Sequence, residues 1–228
     1  ILALLPLFVF WQLITPNLLD LRVIYQDITH IEYTSFIYQI DSLRNFKEYP
    51  FWAWGVFSGN PFYSSLIFYP FNIIFYLLPL DPATPQVFHS YIILFHLSIS
   101  SITFYVLARS LSFNRIISVL GALIYTYTGQ ITFNLIIGPP ALINFSWFPL
   151  ALFFTRKFVL TENPRWILFS TIAFFLMMGK FNPFTIFLIY YTIAFFLFSL
   201  FIEKKKGFIW LSVWFFASII LSLALASS

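Results

Sequence analysis

The chain has 228 residues, 61% of them hydrophobic and only 9% charged, with a net charge of +4. A soluble domain carries roughly 25% charged residues, and a water-soluble core of this length cannot hide so much apolar surface. The absence of cysteine excludes disulfides, thiolate metal sites and a cysteine nucleophile. No nucleic-acid motif accompanies the positive charge.

Ile1 to Ile14 is apolar apart from Gln12 and stops at Thr15-Pro16-Asn17. Residues 1–15 are read as the first membrane helix. The run has no basic leader and no small-residue cleavage site, so it is not a signal peptide. Both termini are apolar and are expected to have been cut from a longer chain.

Residues 16–85 change character. They carry Asp20, Asp27, Glu32, Asp41, Glu48 and Asp81, six of the eight acidic residues, with Trp52, Trp54 and the turn formers Gly55, Gly59, Asn60 and Pro61. This is the pattern of a long loop outside the hydrocarbon, with short helices lying at the interface. Ser64 to Pro79 is apolar but contains Pro70 and Asn72. It reaches roughly 24 Å as a helix, short of the ~30 Å hydrocarbon core, and is read as interfacial or re-entrant.

Six further spans are expected near 86–108, 116–137, 140–155, 166–182, 183–202 and 208–226. The predicted fold is an all-α integral membrane protein, one transmembrane domain over 1–228. It has about seven transmembrane helices and a long extracytoplasmic first loop. Arg109, Arg115, Arg156, Lys157, Arg165 and Lys204-Lys205-Lys206 fall in alternate gaps between spans, which places those gaps in the cytoplasm of a cell-membrane protein. The opposite gaps hold Gly138-Pro139-Pro140 and Gly179-Lys180-Phe181-Asn182. A rival topology, in which 64–79 crosses fully, would put 16–62 in the cytoplasm and place Arg22, Arg44 and Lys47 there too.

Ionisable groups at the working face of a membrane protein are functional candidates. Asp27 and His30 lie one helical turn apart, as do Thr29 and Glu32. A carboxylate in this patch can act as a general base towards a hydroxyl. Asp27, His30 and Glu32 can equally hold a divalent cation such as Mg or Mn, or be ordinary solvated loop residues. His89 and His96 share a helix face but lie ~10 Å apart, too far to chelate one metal. His89 is near the outer end and is a substrate-facing candidate; His96 is deeper and reads as a packing residue. Lys180, alone in its turn, either attracts a lipid phosphate or snorkels to the interface. No P-loop, dinucleotide fingerprint, HExxH or GxSxG motif is present.

The layout of one helix, a long acidic outer loop and then many helices resembles the GT-C glycosyltransferase superfamily. Within it, the chain is similar to the YfhO-type bacterial membrane proteins. Those have an Asp soon after the first helix, then a segment of the form G-x-x-P-x-W, then G-x-P and Y-P. Here Asp27 is followed by Lys47-Glu48-Tyr49-Pro50-Phe51-Trp52, Gly59-Asn60-Pro61 and Tyr69-Pro70. Gly179-Lys180-Phe181-Asn182-Pro183 resembles the family's Gly-His-Pro-Gln turn. The chain departs from the pattern in that turn and at Lys47 or Glu48, where the family has Gly.

The resemblance implies a polyprenyl-phosphate-linked sugar donor and a glycan, lipid or protein acceptor on the outer side. Asp27 would be the carboxylate at the acceptor, and Lys180 or a cation would face the departing phosphate. Apart from the resemblance, the polar patch and the helix end make His30, Glu32 and His89 substrate-binding candidates, with Asp27 and Glu32 the candidate metal ligands. The competing reading is a multi-pass transporter or lipid flippase, which needs polar residues strung through the spans. A scaffold without activity is a third.

Overall fold

A computed structural model describes residues 1–10, 42, 45, 47, 52–53, 60–61, 85–128, 139–178, 183–204 and 207–227. Seven helices are found among these residues: α1 (Leu5–Val9), α2 (Pro85–Ser110), α3 (Arg115–Thr126), α4 (Pro139–Thr161), α5 (Arg165–Met177), α6 (Pro183–Ile202) and α7 (Phe208–Ser227). The only described strand pairing is a two-residue antiparallel ladder. Its strands, β1 (Trp52–Ala53) and β2 (Asn60–Pro61), set Trp52 opposite Pro61 and Ala53 opposite Asn60.

Three described helices carry stretches long and apolar enough to cross a bilayer: Ile93–Ser110 in α2, Phe184–Ile202 in α6 and Phe208–Leu225 in α7. With 23 residues α4 is long enough, at about 35 Å. Asn144, Pro149 and the pair Arg156-Lys157 interrupt its apolar character. Among the shorter helices, α3 and α5 are apolar but have only 12 and 13 residues.

The helix ends follow from local chemistry. Asn114 opens α3, its side chain accepting the Ile117 N–H at 2.8 Å. The Asn163 side chain accepts from Arg165 N at 3.0 Å and starts α5. Three helices end on residues with left-handed backbone just past their last turn. Ser112 (φ 69°) follows α2, Glu162 (φ 53°) follows α4 and Lys204 (φ 47°) follows α6. The connections 111–114 and 162–164 are therefore tight reversals, and each helix pair packs side by side.

α4 is the central helix. It packs against α2, α5 and α6, while α2 also meets α1 and α3, and α5 meets α7. Ile143, Trp147, Ala151 and Phe158 of α4 join Phe174 and Met177 of α5, Leu188 and Phe196 of α6, and Phe215 of α7 in one core. Phe196 and Phe215 stack with centroids 4.0 Å apart.

On α3 and α5 small and hydroxyl residues share the buried face and several large aliphatics are exposed, although Ile167, Phe174 and Met177 of α5 are buried too. On α3 the buried residues are Ser118, Ala122 and Thr126, one per turn, whereas Ile116 and Ile124 are 72% and 68% exposed. On α5, Ser170, Thr171 and Ala173 are buried, while Leu168 and Ile172 face outward. Small and hydroxyl residues inside with large aliphatics outside is the packing expected in lipid, where close backbone approach and hydrogen bonds hold helices together. Gly121 shows how close α2 and α3 lie. A β-carbon there would come within 2.9 Å of the Phe104 ring, which is itself stacked on Tyr125.

The expected and observed helices coincide for α2, α6 and α7. The helix expected over 116–137 ends at Thr126, and the one expected over 166–182 ends at Met177. The span expected over 140–155 continues as helix to Thr161, because Arg156 and Lys157 end the apolar run without ending the helix. Residues 16–41 and 62–84 lie outside the described residues, and so does the expectation that 64–79 is interfacial.

Candidate functional site

Asp27, His30, Glu32 and Lys180 lie outside the described residues. His89 falls in the second turn of α2, and one unbroken helix carries it and His96. His96 is fully buried, as a packing residue would be. Among the described residues no group of three His, Cys, Asp or Glu side chains is placed to hold a metal ion.

What the described helices do build is a polar seam at one end of the bundle. It is formed where the first turns of α4 and α6 meet the last turns of α3 and α5 and the upper half of α2. Its parts follow from a break in α4. Pro149 has no N–H, so the Phe145 carbonyl one turn earlier loses its helical donor. The Tyr125 hydroxyl supplies one instead, donating to Phe145 O at 2.8 Å. The next carbonyl, Ser146 O, accepts from Thr103 Oγ1 at 2.8 Å. The Ser146 hydroxyl donates to His96 O at 2.9 Å and to its own helix at Leu142 O.

Asn144 does a second job at the same level. Its side-chain amide donates to Met177 O and, at 3.1 Å, to Thr185 Oγ1. Met177 is the last helical residue of α5, so its carbonyl has no donor within the helix. One buried amide thus caps α5 and fastens the first turn of α6 to α4. Between α2 and α3, Ser101 Oγ and Thr126 Oγ1 lie 3.0 Å apart, and Thr126 also reaches Ser100 at 3.4 Å. Ser98 donates to Ala3 O at 2.7 Å and ties α2 to the start of the chain.

In chemical terms this seam is a frame rather than a reaction centre. Its members pair with one another or with carbonyls, which fixes the helices to one another at this end of the bundle. Asn144 was visible in the sequence as a lone amide in an apolar span. Tyr125 had no such signal, because a tyrosine near a span end reads as an interfacial residue.

Replacing Tyr125 with Phe tests the frame. It leaves Phe145 O without its side-chain donor. The expected loss is about 1–2 kcal/mol of stability, measured by thermal unfolding in detergent. A Tyr125→Phe protein as stable as wild type would mean that the carbonyl is satisfied elsewhere.

The opposite end is basic. Arg109, Arg115, Arg156, Lys157, Arg165 and Lys204 all lie there, at the end of α2, the start of α3, the last turns of α4, the start of α5 and just past α6. Arg109 Nη1 donates to Phe113 O at 2.6 Å, and Lys157 Nζ lies 5.8 Å above the Phe153 ring. Among the described helices, the charged side chains therefore gather at one end of the bundle.

No protein-family model, no curated protein and no solved structure matches the chain.

Proposed function

We propose that the chain is a membrane glycosyltransferase of GT-C type. It spans the cell membrane about seven times, with the cationic end in the cytoplasm and residues 16–85 outside. The observation that carries this reading is the ladder between β1 and β2. It sets Trp52 against Pro61 and Ala53 against Asn60, so the last residue of the Pro-x-Trp motif faces the proline of the Gly-x-Pro motif. Trp52 and Pro61 belong to two of the short motifs on which the resemblance rests, and their pairing supports reading those motifs as one unit. Lys47 adds support. Its φ of 53° is a conformation that glycine adopts most readily, and the family has Gly at this place or the next.

In the proposed reaction Asp27 accepts the proton of the acceptor hydroxyl. The hydroxyl oxygen forms the new bond to the anomeric carbon as the bond from that carbon to the polyprenyl phosphate breaks, with inversion. Lys180 stabilises the negative charge that collects on the departing phosphate. His30, Glu32 and His89 contact the sugar or the acceptor, and the polyprenyl tail lies among the helices. The sugar comes from a lipid-linked donor because a site at the outer lip of the bundle is out of reach of soluble cytoplasmic nucleotide sugars.

The transporter reading requires ionisable or polar groups leading through the bundle. Among the described residues, no Asp, Glu, Lys, Arg or His lies within a helix between the level of His96 and the basic end, whereas buried hydroxyls such as Thr103, Ser118, Thr155 and Ser170 do. The first observation supports a site at one face, and the second leaves the transporter as the competing reading.

The absence of cysteine makes a direct topology test clean. Asn45→Cys is expected to react with a membrane-impermeant maleimide in intact cells. Asn163→Cys, in the α4–α5 turn, is expected to react only after permeabilisation. Labelling of Asn45→Cys only after permeabilisation would place the acidic loop in the cytosol and end the proposal.

A further inference from the structure

Among the described residues of the cationic end, two side chains carry a buried polar atom without a partner, Arg156 at Nε and Ser212 at Oγ, and of the two only Arg156 is charged. Arg109 is bonded to Phe113 O in the turn after α2, and Lys157 lies over the Phe153 ring of its own helix. Arg156 differs. Its side chain is half-buried, and its Nε–H is shut off from water with no hydrogen-bond partner among the described residues. A buried donor left unpaired is costly, and on a permanently charged guanidinium the acceptor that repays it best is an anion. The surroundings favour an anion too. Lys157 is next in sequence, Arg165 opens the helix that packs against α4, and Thr155 Oγ1 lies 3.4 Å from Ser170 Oγ, which holds the two helices together beside Arg156. Glu162 and Glu203 are the only described acidic residues at this end.

The aromatic groups identify the environment of that anion. Trp166 packs face-on to Phe154 at 5.9 Å and against Phe169 at 5.8 Å, on the same α4–α5 pair. Trp210, at the start of α7, meets Phe158 two residues after Arg156. Indoles beside a ring of Arg and Lys at the end of an apolar bundle mark the headgroup level of a bilayer. There the phosphate at highest local concentration belongs to a phospholipid, and Arg is the residue suited to a phosphate in two-point contact.

We propose that Arg156, supported by the field of Lys157 and Arg165, binds the headgroup phosphate of an anionic phospholipid at the cationic end of the bundle. This rests on the membrane placement of the helices and is independent of sugar transfer, which belongs to the other end. The bound lipid would complete the α4–α5 pair by supplying the acceptor that the chain lacks.

The test is native mass spectrometry of the full chain released from detergent micelles, titrated with dioleoyl phosphatidylglycerol or with dioleoyl phosphatidylcholine. Wild type is expected to retain phosphatidylglycerol in preference to phosphatidylcholine, and the preference should weaken with rising salt. Arg156→Gln is expected to weaken retention of phosphatidylglycerol about tenfold, and Arg165→Gln, on the exposed rim, by no more than about threefold. Equal retention of the two lipids by wild type would overturn the proposal even if the variant failed to fold. So would an Arg156→Gln protein that binds as wild type does. Displacement of the lipid by inorganic phosphate at equal concentration would assign the site to a free anion instead and would also overturn it. None of these results bears on transferase activity, so the two proposals fail separately.

Discussion

Asp27→Asn is expected to abolish transfer of a hexose from its polyprenyl-phosphate donor while leaving expression and membrane insertion intact. The substitution changes one oxygen for an NH2 group of the same size and removes the only feature that matters to the mechanism, a basic carboxylate. General-base catalysis contributes roughly 10²–10⁴-fold to a rate, so activity in isolated membranes should fall at least about a hundredfold. Insertion is not at stake, because the proposed loop carries Asp27 outside the hydrocarbon, and the positive charges that orient the chain lie elsewhere. Transfer at the wild-type rate by this variant, with equal protein in the membrane, would remove Asp27 from the reaction.

The largest effect on stability is expected at Asn144. Asn144→Leu withdraws the donors that satisfy Met177 O and Thr185 Oγ1 and places a bulkier side chain at a site with no exposure. An orphaned buried carbonyl costs about 1–3 kcal/mol and overpacking about as much again. The expected loss is therefore about 3 kcal/mol. Thr185→Val is the informative comparison. It removes one partner and leaves the bond to Met177 O, and single interhelical hydrogen bonds in membranes average only about 0.6 kcal/mol. Unfolding in mixed micelles should rank Asn144→Leu well below Thr185→Val. Equal losses would mean that the cap on α5 contributes nothing and that only the link to α6 counts.

The helices that were legible in the sequence are those whose apolar runs and helical runs share both ends. α6 begins at a proline and closes before Glu203 and the lysine run, and α7 begins just after Gly207. Where the two properties part, sequence reading misplaces the boundary. In α3 the apolar run continues beyond Thr126 although the helix does not. In α4 the helix continues beyond Thr155 although the apolar run does not. Hydropathy reports where lipid is tolerated, whereas the hydrogen-bond ladder reports where helix is.

The seam was hidden for a different reason. Its bonds join residues far apart in the chain, such as Tyr125 to Phe145 and Asn144 to both Met177 and Thr185. Composition contains no record of such pairs. Asn144 and Pro149 were local clues, a lone amide in an apolar run and a proline that within a helix leaves a carbonyl without its backbone donor. The catalytic proposal stays with the sequence motifs, because Asp27, His30, Glu32 and Lys180 lie outside the described residues. The β1–β2 ladder is the point at which those motifs and the described backbone meet.

The tight reversals after α2 and α4 also bear on how the chain is assembled. Because 111–114 and 162–164 turn at once and each turn is flanked by Arg, α2 with α3 and α4 with α5 are natural units of insertion. Under the proposed topology, each would enter the bilayer as a pre-paired couple with its charged bend held back in the cytoplasm. A chain cut within 129–138 and co-expressed as two pieces should therefore reassemble and be recovered together by affinity purification. A cut within 162–164 would separate the partners of one couple and leave the pieces to be degraded.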